Sequence, residues 1–256
     1  MTAIEQAIDE LQKAKKIVFF TGAGISADSG IPTYREKLSG IWAGYDPRDL
    51  ETAKAFRENP ALVWGWYLWR RLRVAQAEPN AAHLVIPRMA NSLRQVSVIT
   101  QNIDDFHERA GSLNVVHLHG SLATPKCFAC HRPAVVMPDQ SVIPDEGALI
   151  EPPRCQRCNG KMRPAVVWYG EDLPSQAWKA AVHLVKECDL LVSVGTSGVV
   201  MPAAGLPDLA LSSGASVIHV NKADVAMGEE KEFMLIGAAT EILPLLLERI
   251  DTAGSR

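Results

Sequence analysis

The sequence predicts an α/β fold built on a parallel sheet, and three observations carry that expectation. Short, strongly apolar runs recur at residues 17–20, 96–100, 115–118, 190–194 and 217–220, and runs this short and apolar suit strands buried on both faces. Segments of helical periodicity lie between them, as parallel crossovers require. Two stretches, 36–78 and 123–163, break the alternation and read as insertions into the sheet.

Taken in order, residues 1–16 set Ile4, Ile8 and Leu11 against Glu5, Asp9 and Glu10, which is an amphipathic helix and not the unbroken apolar stretch of an export signal. The first strand follows at 17–20. The first insertion carries Trp42, Trp64, Trp66 and Trp69 without a clear strand, and 60–77 within it reads as a helix. Further helices are expected at 80–93, 175–186 and 202–211, the last with Pro202 as its first-turn residue. The second insertion holds two cysteine pairs and several prolines. With no repeat, low-complexity tract or long linker, both insertions should pack on the sheet and form a cleft with it.

Composition narrows the function. The 256 residues are 47% hydrophobic and 21% charged, enough apolar material for a compact core. A formal net charge of -3 gives no basic excess to displace counterions from a phosphate backbone, which argues against nucleic acid as the main partner. No apolar run approaches the roughly 18 residues of a membrane span. A cytoplasmic monomer, bound to neither membrane nor nucleic acid, is the expectation.

The first strand runs into Gly22-Ala23-Gly24-Ile25-Ser26-Ala27. This fits a strand, G-x-G-x-x-[GA], helix pattern, in which glycines allow a tight turn and let backbone N–H groups approach a diphosphate. Dinucleotide binding is the first reading, and a glycine turn without ligand is the alternative. The acid that usually ends a second strand about 20 residues on is missing, because residues 35–42 follow no strand. An ordinary hydride-transferring dehydrogenase is disfavoured. Gly195, Thr196 and Ser197 after the fourth run, and Asn221 after the fifth, can serve the ribose instead.

Two further strand ends carry polar groups: Gln101, Asn102 and Asp104 after 96–100, and His119 after 115–118. Parallel strands bring these to the edge that holds the glycine loop. Histidine is the side chain best suited to accept a proton near neutral pH, and an amide can orient a ribose or a water without charge. Asp104 can alternatively cap the short helix after it, and His117 reads as structural. His83, His107, His183 and His219 show no comparable polar neighbourhood in the sequence.

Cys127, Cys130, Cys155 and Cys158 form two Cys-x-x-Cys knuckles, a strong signal for one tetrahedral Zn²⁺ over disulfides. Four thiolates leave no open position for a catalytic water, so this metal is structural. Cys188, the fifth cysteine, reads as an ordinary buried thiol.

Together these motifs resemble the sirtuins, NAD-dependent protein lysine deacylases. The resemblance rests on Gly22 to Ser26, Gly30-Ile-Pro-Thr-Tyr-Arg35, Thr100-Gln-Asn-Ile-Asp104, His119-Gly120, the cysteine knuckles, Val166-Val-Trp-Tyr-Gly-Glu171 and Gly195-Thr-Ser197, in order along nearly the whole chain. It implies a Rossmann-like sheet domain (1–35, 83–121 and 171–256) and a smaller inserted helical and zinc-binding domain (36–82 and 122–170). NAD would be the co-substrate and one zinc the structural metal. His119 would be the general base, with Asn102 and Asp104 ordering the nicotinamide ribose. Gly22, Ala23, Gly24, Arg35, Gln101, Gly195, Thr196, Ser197, Asn221 and Ala239 would complete the NAD contacts. Val167, Trp168 and Tyr169 would form a strand pairing with the acyl-lysine substrate. The chemistry implied is attack of the acyl oxygen on the sugar carbon left by nicotinamide, followed by a His119-assisted ribose hydroxyl, releasing lysine and O-acyl-ADP-ribose.

Tyr67 and Arg70 stand at i and i+3, one helical face, and a hydroxyl beside a guanidinium makes a receptor for a carboxylate. This Tyr-x-x-Arg pair resembles the desuccinylase branch of the family. A guanidinium that an acetyl group cannot satisfy would disfavour acetyl, so succinyl and malonyl groups are expected above or beside it. Two departures stand out: Tyr34 where the family often has Phe, and Gly237-Ala238-Ala239 where a Gly-Pro-Ala-Gly-like turn is more usual. An NAD-dependent mono-ADP-ribosyltransferase and a non-enzymatic NAD or zinc binding module are the alternatives.

Overall fold

The computed structural model describes residues 2–31, 42, 44–90, 94–134 and 143–253. The chain opens with α1 (Ala3–Lys13), β1 (Lys16–Thr21) and the short α2 (Ala23–Ser26). The helical insertion supplies α3 (Pro47–Leu50), α4 (Ala53–Glu58) and α5 (Pro60–Gln76), after which α6 (Ala81–Arg88), β2 (Gln95–Thr100), α7 (Phe106–Arg109) and β3 (Val115–His117) return to the sheet. A hairpin follows, β4 (Gly120–Cys127) and β5 (Met162–Val166). The last part comprises α8 (Ser175–Glu187), β6 (Leu190–Val194), α9 (Leu206–Ser212), β7 (Ser216–Asn221), β8 (Glu232–Ile236) and α10 (Ala239–Ala253).

Six strands pair in parallel in the order β3-β2-β1-β6-β7-β8, and β4 pairs with β5 in a separate antiparallel sheet. The five apolar runs are all strands, with ends displaced by at most a residue or so. Two features were not expected. β8 starts on an acid, Glu232, whose carboxylate accepts amides from Met227, Gly228 and Glu229 while bonding to His219 Nε2. β4 and β5 contain prolines that mask their periodicity, and their register shifts between Ser121 and Pro125.

The helix expected at 80–93 is described only as α6, capped by Asn80, whose side chain accepts from Ala82 N; residues 91–93 lie outside the described part. The helix expected at 202–211 is broken into a 3₁₀ turn (Ala203–Gly205) and α9, and it is Pro207, not Pro202, that occupies the helical first turn. At the other end, Thr2 and Glu5 cap α1 reciprocally.

Each face of the main sheet has its own core. One packs Ile17, Phe19, Val98, Val192 and Ile218 against α1, α6 and α10, and the other packs Val18, Phe20, Leu191 and Val217 against α8 and α9. The helical insertion and the β4–β5 hairpin share a third, aromatic core around Trp42, Phe56, Trp66, Trp69 and Trp168. Among the described residues, no helix is long and apolar enough to cross a membrane.

Candidate active site

Parallel register decides where the site lies. Thr21 pairs with Thr100 and with Val194, Thr100 with His117, and Val194 with Val220, so the segments after these strands emerge along one edge. The chain reverses its direction of travel across the sheet between β1 and β6, and open α/β sheets bind ligands in the crevice at such a switch point. Gly22 N donates to Val194 O, and Gly24 N donates to Gly195 O at 2.9 Å. A Cβ on Gly24 would stand 2.7 Å from Gly195 Cα, and Gly195 itself takes a positive φ of 62°. Only glycines permit this crossing of two loops. It leaves Ala23 and Gly24 exposed at the start of α2, where a diphosphate could meet backbone.

His119 stands just past the end of β3, partly buried. Its Nδ1 lies 2.9 Å from Gln101 O; a carbonyl only accepts, so Nδ1 carries the proton and Nε2 is left as the base. Burial holds the imidazole below its ordinary pKa, with the Gln101 bond opposing, so His119 is neutral and basic at pH 7. Beside it, the Ser26 hydroxyl accepts from Asn102 Nδ2 at 3.1 Å and donates to Asp104 Oδ2 at 3.1 Å. Asp104 also accepts from Phe106 N at 3.2 Å, so it both caps the following turn and joins the cluster. Burial raises its carboxyl pKa against those two hydrogen bonds.

Sequence reasoning did not single out Ser26, although it lies in the glycine motif. His83 and His107, read as lacking polar neighbours, are behind this cluster: His83 Nε2 is 3.4 Å from Ser26 Oγ, and His107 Nε2 is 2.9 Å from Thr21 Oγ1. Thr21 donates to Thr100 Oγ1, which accepts from Asn102 N at 3.0 Å. Burial depresses the pKa of His83 to about 4, and that of His107 to about 3 with repulsion from neighbouring histidines added. Neither signal is local in sequence. His117 bonds to Glu108 Oε1 at 2.7 Å, and its Nδ1 lies 3.2 Å from Asn102 O, so it braces the backbone of the cluster from the end of β3.

The remaining NAD candidates divide. Ser197 is exposed on the same edge. Thr196 turns its hydroxyl inward to Ser193 at 3.2 Å, Asn221 Nδ2 braces Thr196 O at 2.7 Å, and Ala239 is buried at the start of α10. Arg35, with Thr33 and Tyr34, lies outside the described residues.

The acyl-side residues depart from expectation in two ways. Val167, Trp168 and Tyr169 lie past the end of β5, not within a strand, and their N–H groups are committed to His119 O, Glu171 Oε2 and Glu51 O. Trp168 is buried, its Nε1 donating to the Tyr67 hydroxyl at 2.9 Å. Arg163, buried beneath this segment, donates to Val166 O at 2.8 Å and pairs with Glu171. Arg70 is ion-paired to Glu51, so an acetyl group would not leave it without a partner, contrary to the sequence expectation.

The four knuckle thiols draw together in the second lobe. Their Sγ atoms all lie within 4.8 Å of one another, with Cys127 to Cys158 at 3.5 Å and Cys130 to Cys155 at 3.9 Å. A tetrahedral zinc with Zn–S near 2.3 Å spaces its sulfurs about 3.8 Å apart. A Cβ on Gly160 would sit 3.1 Å from Cys127 Sγ and 3.4 Å from Cys158 Sγ, so the bare glycine keeps the cradle open. These residues fit one zinc ion. Cys188 is elsewhere, its thiol donating to Val185 O and pushed up to about 11 by burial.

Fold and site define a dinucleotide-binding α/β protein carrying an inserted four-thiolate metal lobe. The Sir2 family pattern matches residues 22–202, and the chain belongs to that family. An NAD-dependent protein deacylase of Pseudomonas putida is 64% identical over 253 residues, covering 99% of this chain and 97% of that one. A Sir2 homologue solved as a complex with NAD superimposes with a TM-score of 0.85 at 37% identity, over 97% of this chain and 94% of the other. A Sir2 protein solved with a deacetylated p53 peptide and 3'-O-acetyl-ADP-ribose gives 0.75 at 28% identity, over 97% and 98%.

Proposed function

We propose that this Sir2-family chain is an NAD-dependent protein lysine deacylase that accepts succinyl and malonyl groups alongside acetyl. The observation that carries the reading is His119: a neutral imidazole, fixed through Nδ1, with its basic nitrogen on the edge that also holds the glycine crossing. NAD supplies a sugar carbon activated by departure of nicotinamide. His119 Nε2 takes the proton from a ribose hydroxyl. Asn102 and Asp104, held by Ser26, order that ribose, and Ala23, Gly24 and Ser197 take the diphosphate, with Arg35 beside them. Tyr67 and Arg70 meet the acyl end, and the segment of Val167 to Tyr169 positions the lysine. The division into a sheet domain (1–35, 83–121 and 171–256) and a smaller lobe (36–82 and 122–170) belongs to the same reading, supported by the aromatic core centred in the smaller lobe, which Phe106 of the sheet domain joins at the boundary. Four thiols kept for metal suit the reducing cytoplasm.

The test incubates the protein with NAD and matched acetyl, malonyl and succinyl peptides, following peptide mass and nicotinamide together. One nicotinamide per acyl group removed, on all three peptides, is the expected result. A protein acceptor gaining ADP-ribose mass without acyl loss would favour a transferase, and absence of nicotinamide release would favour a binding module.

A further inference from the structure

Glu51 follows α3 at the edge of the acyl-side cluster. Its backbone carbonyl accepts from Tyr169 N at 2.9 Å, and the next residue, Thr52, bridges Tyr169 in parallel, so the position of Glu51 is tied to the segment assigned to the substrate lysine. Its carboxylate pairs with Arg70 Nη1, the two side chains being only 6% and 15% exposed. The Arg70 guanidinium carbon lies 5.6 Å from the Trp66 ring centre and 6.0 Å from that of Tyr67. Tyr67 in turn receives the Trp168 indole. Among the described residues, Arg70 therefore faces two aromatic rings and the Glu51 carboxylate, all supplied by the chain itself.

We infer that Glu51 is a specificity-determining residue: an internal carboxylate held on Arg70 that restrains the preference for acyl groups ending in a carboxylate. The inference rests on the proposed role of Arg70 as receptor for that acyl end. A guanidinium has donors enough for two carboxylates. Two like charges sharing it in a poorly solvated site repel, however, so the incoming succinyl or malonyl group must share Arg70 or push Glu51 aside. An acetyl group makes no such demand. Glu51 thus acts through Arg70, narrowing the difference between acidic and neutral acyl substrates instead of creating it.

The experiment measures kcat and KM on succinyl and acetyl peptides, at saturating NAD, for the wild type, Glu51→Gln, Arg70→Met and the double variant. Glu51→Gln should raise the succinyl-to-acetyl ratio of kcat/KM about tenfold, equivalent to about 1.4 kcal/mol, mostly through a lower succinyl KM. Arg70→Met should erase the gain. A purely structural role for the pair would move both substrates together, and an unchanged or lowered ratio in Glu51→Gln would overturn the inference. If Arg70→Met lowers the wild-type ratio while Glu51→Gln leaves it alone, the inference alone is lost. If Arg70→Met leaves the ratio alone, the receptor reading beneath it is lost. Should Glu51→Gln lack a single melting transition, Glu51→Ala takes its place, and failure of both to fold would make the pair structural and overturn the inference.

Discussion

The sheet edge and the Arg70 cluster are built by different means. At the edge, positions are fixed by backbone: parallel register aligns the strand ends, and two glycine loops cross where no side chain fits. At the cluster, the decisive group among the described residues is a carboxylate, Glu51, brought in from an earlier helical turn to pair with Arg70. Chemistry that rests on backbone geometry leaves a local motif in the sequence. Chemistry that rests on a distant counter-ion leaves none.

That contrast can be broken from either side, and removal of the metal should act most strongly. Stripping zinc with a strong chelator, or the substitution Cys155→Ser, releases the fold of the β4–β5 lobe, whose metal binding and folding are one free energy. Turnover should fall by about a thousandfold or more, while far-UV circular dichroism keeps the signal of the six-stranded sheet. Full activity in a metal-free preparation, measured by atomic absorption alongside turnover, would refute a structural zinc.

On the backbone side, Gly24→Ala forces a methyl against Gly195 Cα, at 2.7 Å before any shift. Overpacking of this kind costs about 1–3 kcal/mol, so the KM for NAD should rise by about tenfold or more, with a smaller change in the peptide KM. Equal changes in both constants would mean that the crossing does not serve NAD separately from the acyl side.

A smaller effect tests the buried histidines behind the edge. His83 and His107 have folded pKa values depressed to about 4 and about 3, so below their unfolded value of about 6.5 the unfolded chain binds more protons. Their contribution is complete above that value and is lost as pH falls through the window, at up to about 1.4 kcal/mol per pH unit for each histidine. Asp104, raised by burial, works the other way at the acid end. Thermal melts from pH 7 to 4 should show the decline, and His107→Asn should flatten it. A slope unchanged in that variant would contradict a neutral, buried His107.

Much of this was legible in the sequence, for reasons the structure makes plain. The five apolar strands announce themselves because both sheet faces are covered, and the cysteine knuckles because thiolate ligands need short, fixed spacing. β8 did not, since its first residue is an acid satisfied by a loop and by His219. The three amides of Val167, Trp168 and Tyr169 did not, because their partners are His119, Glu171 and Glu51, reached only through tertiary contact. Ser26, between Asn102 and Asp104, was in view within its motif, but its bridging role needs two strand ends brought together.

His119→Ala, with NAD binding measured by calorimetry and turnover by nicotinamide release, tests the central claim most directly. The general base should be worth about 10²–10⁴-fold in kcat while the dissociation constant for NAD stays within about threefold of wild type, because the glycine crossing is untouched. Near-normal turnover in this variant, or loss of NAD affinity in step with loss of turnover, would contradict it.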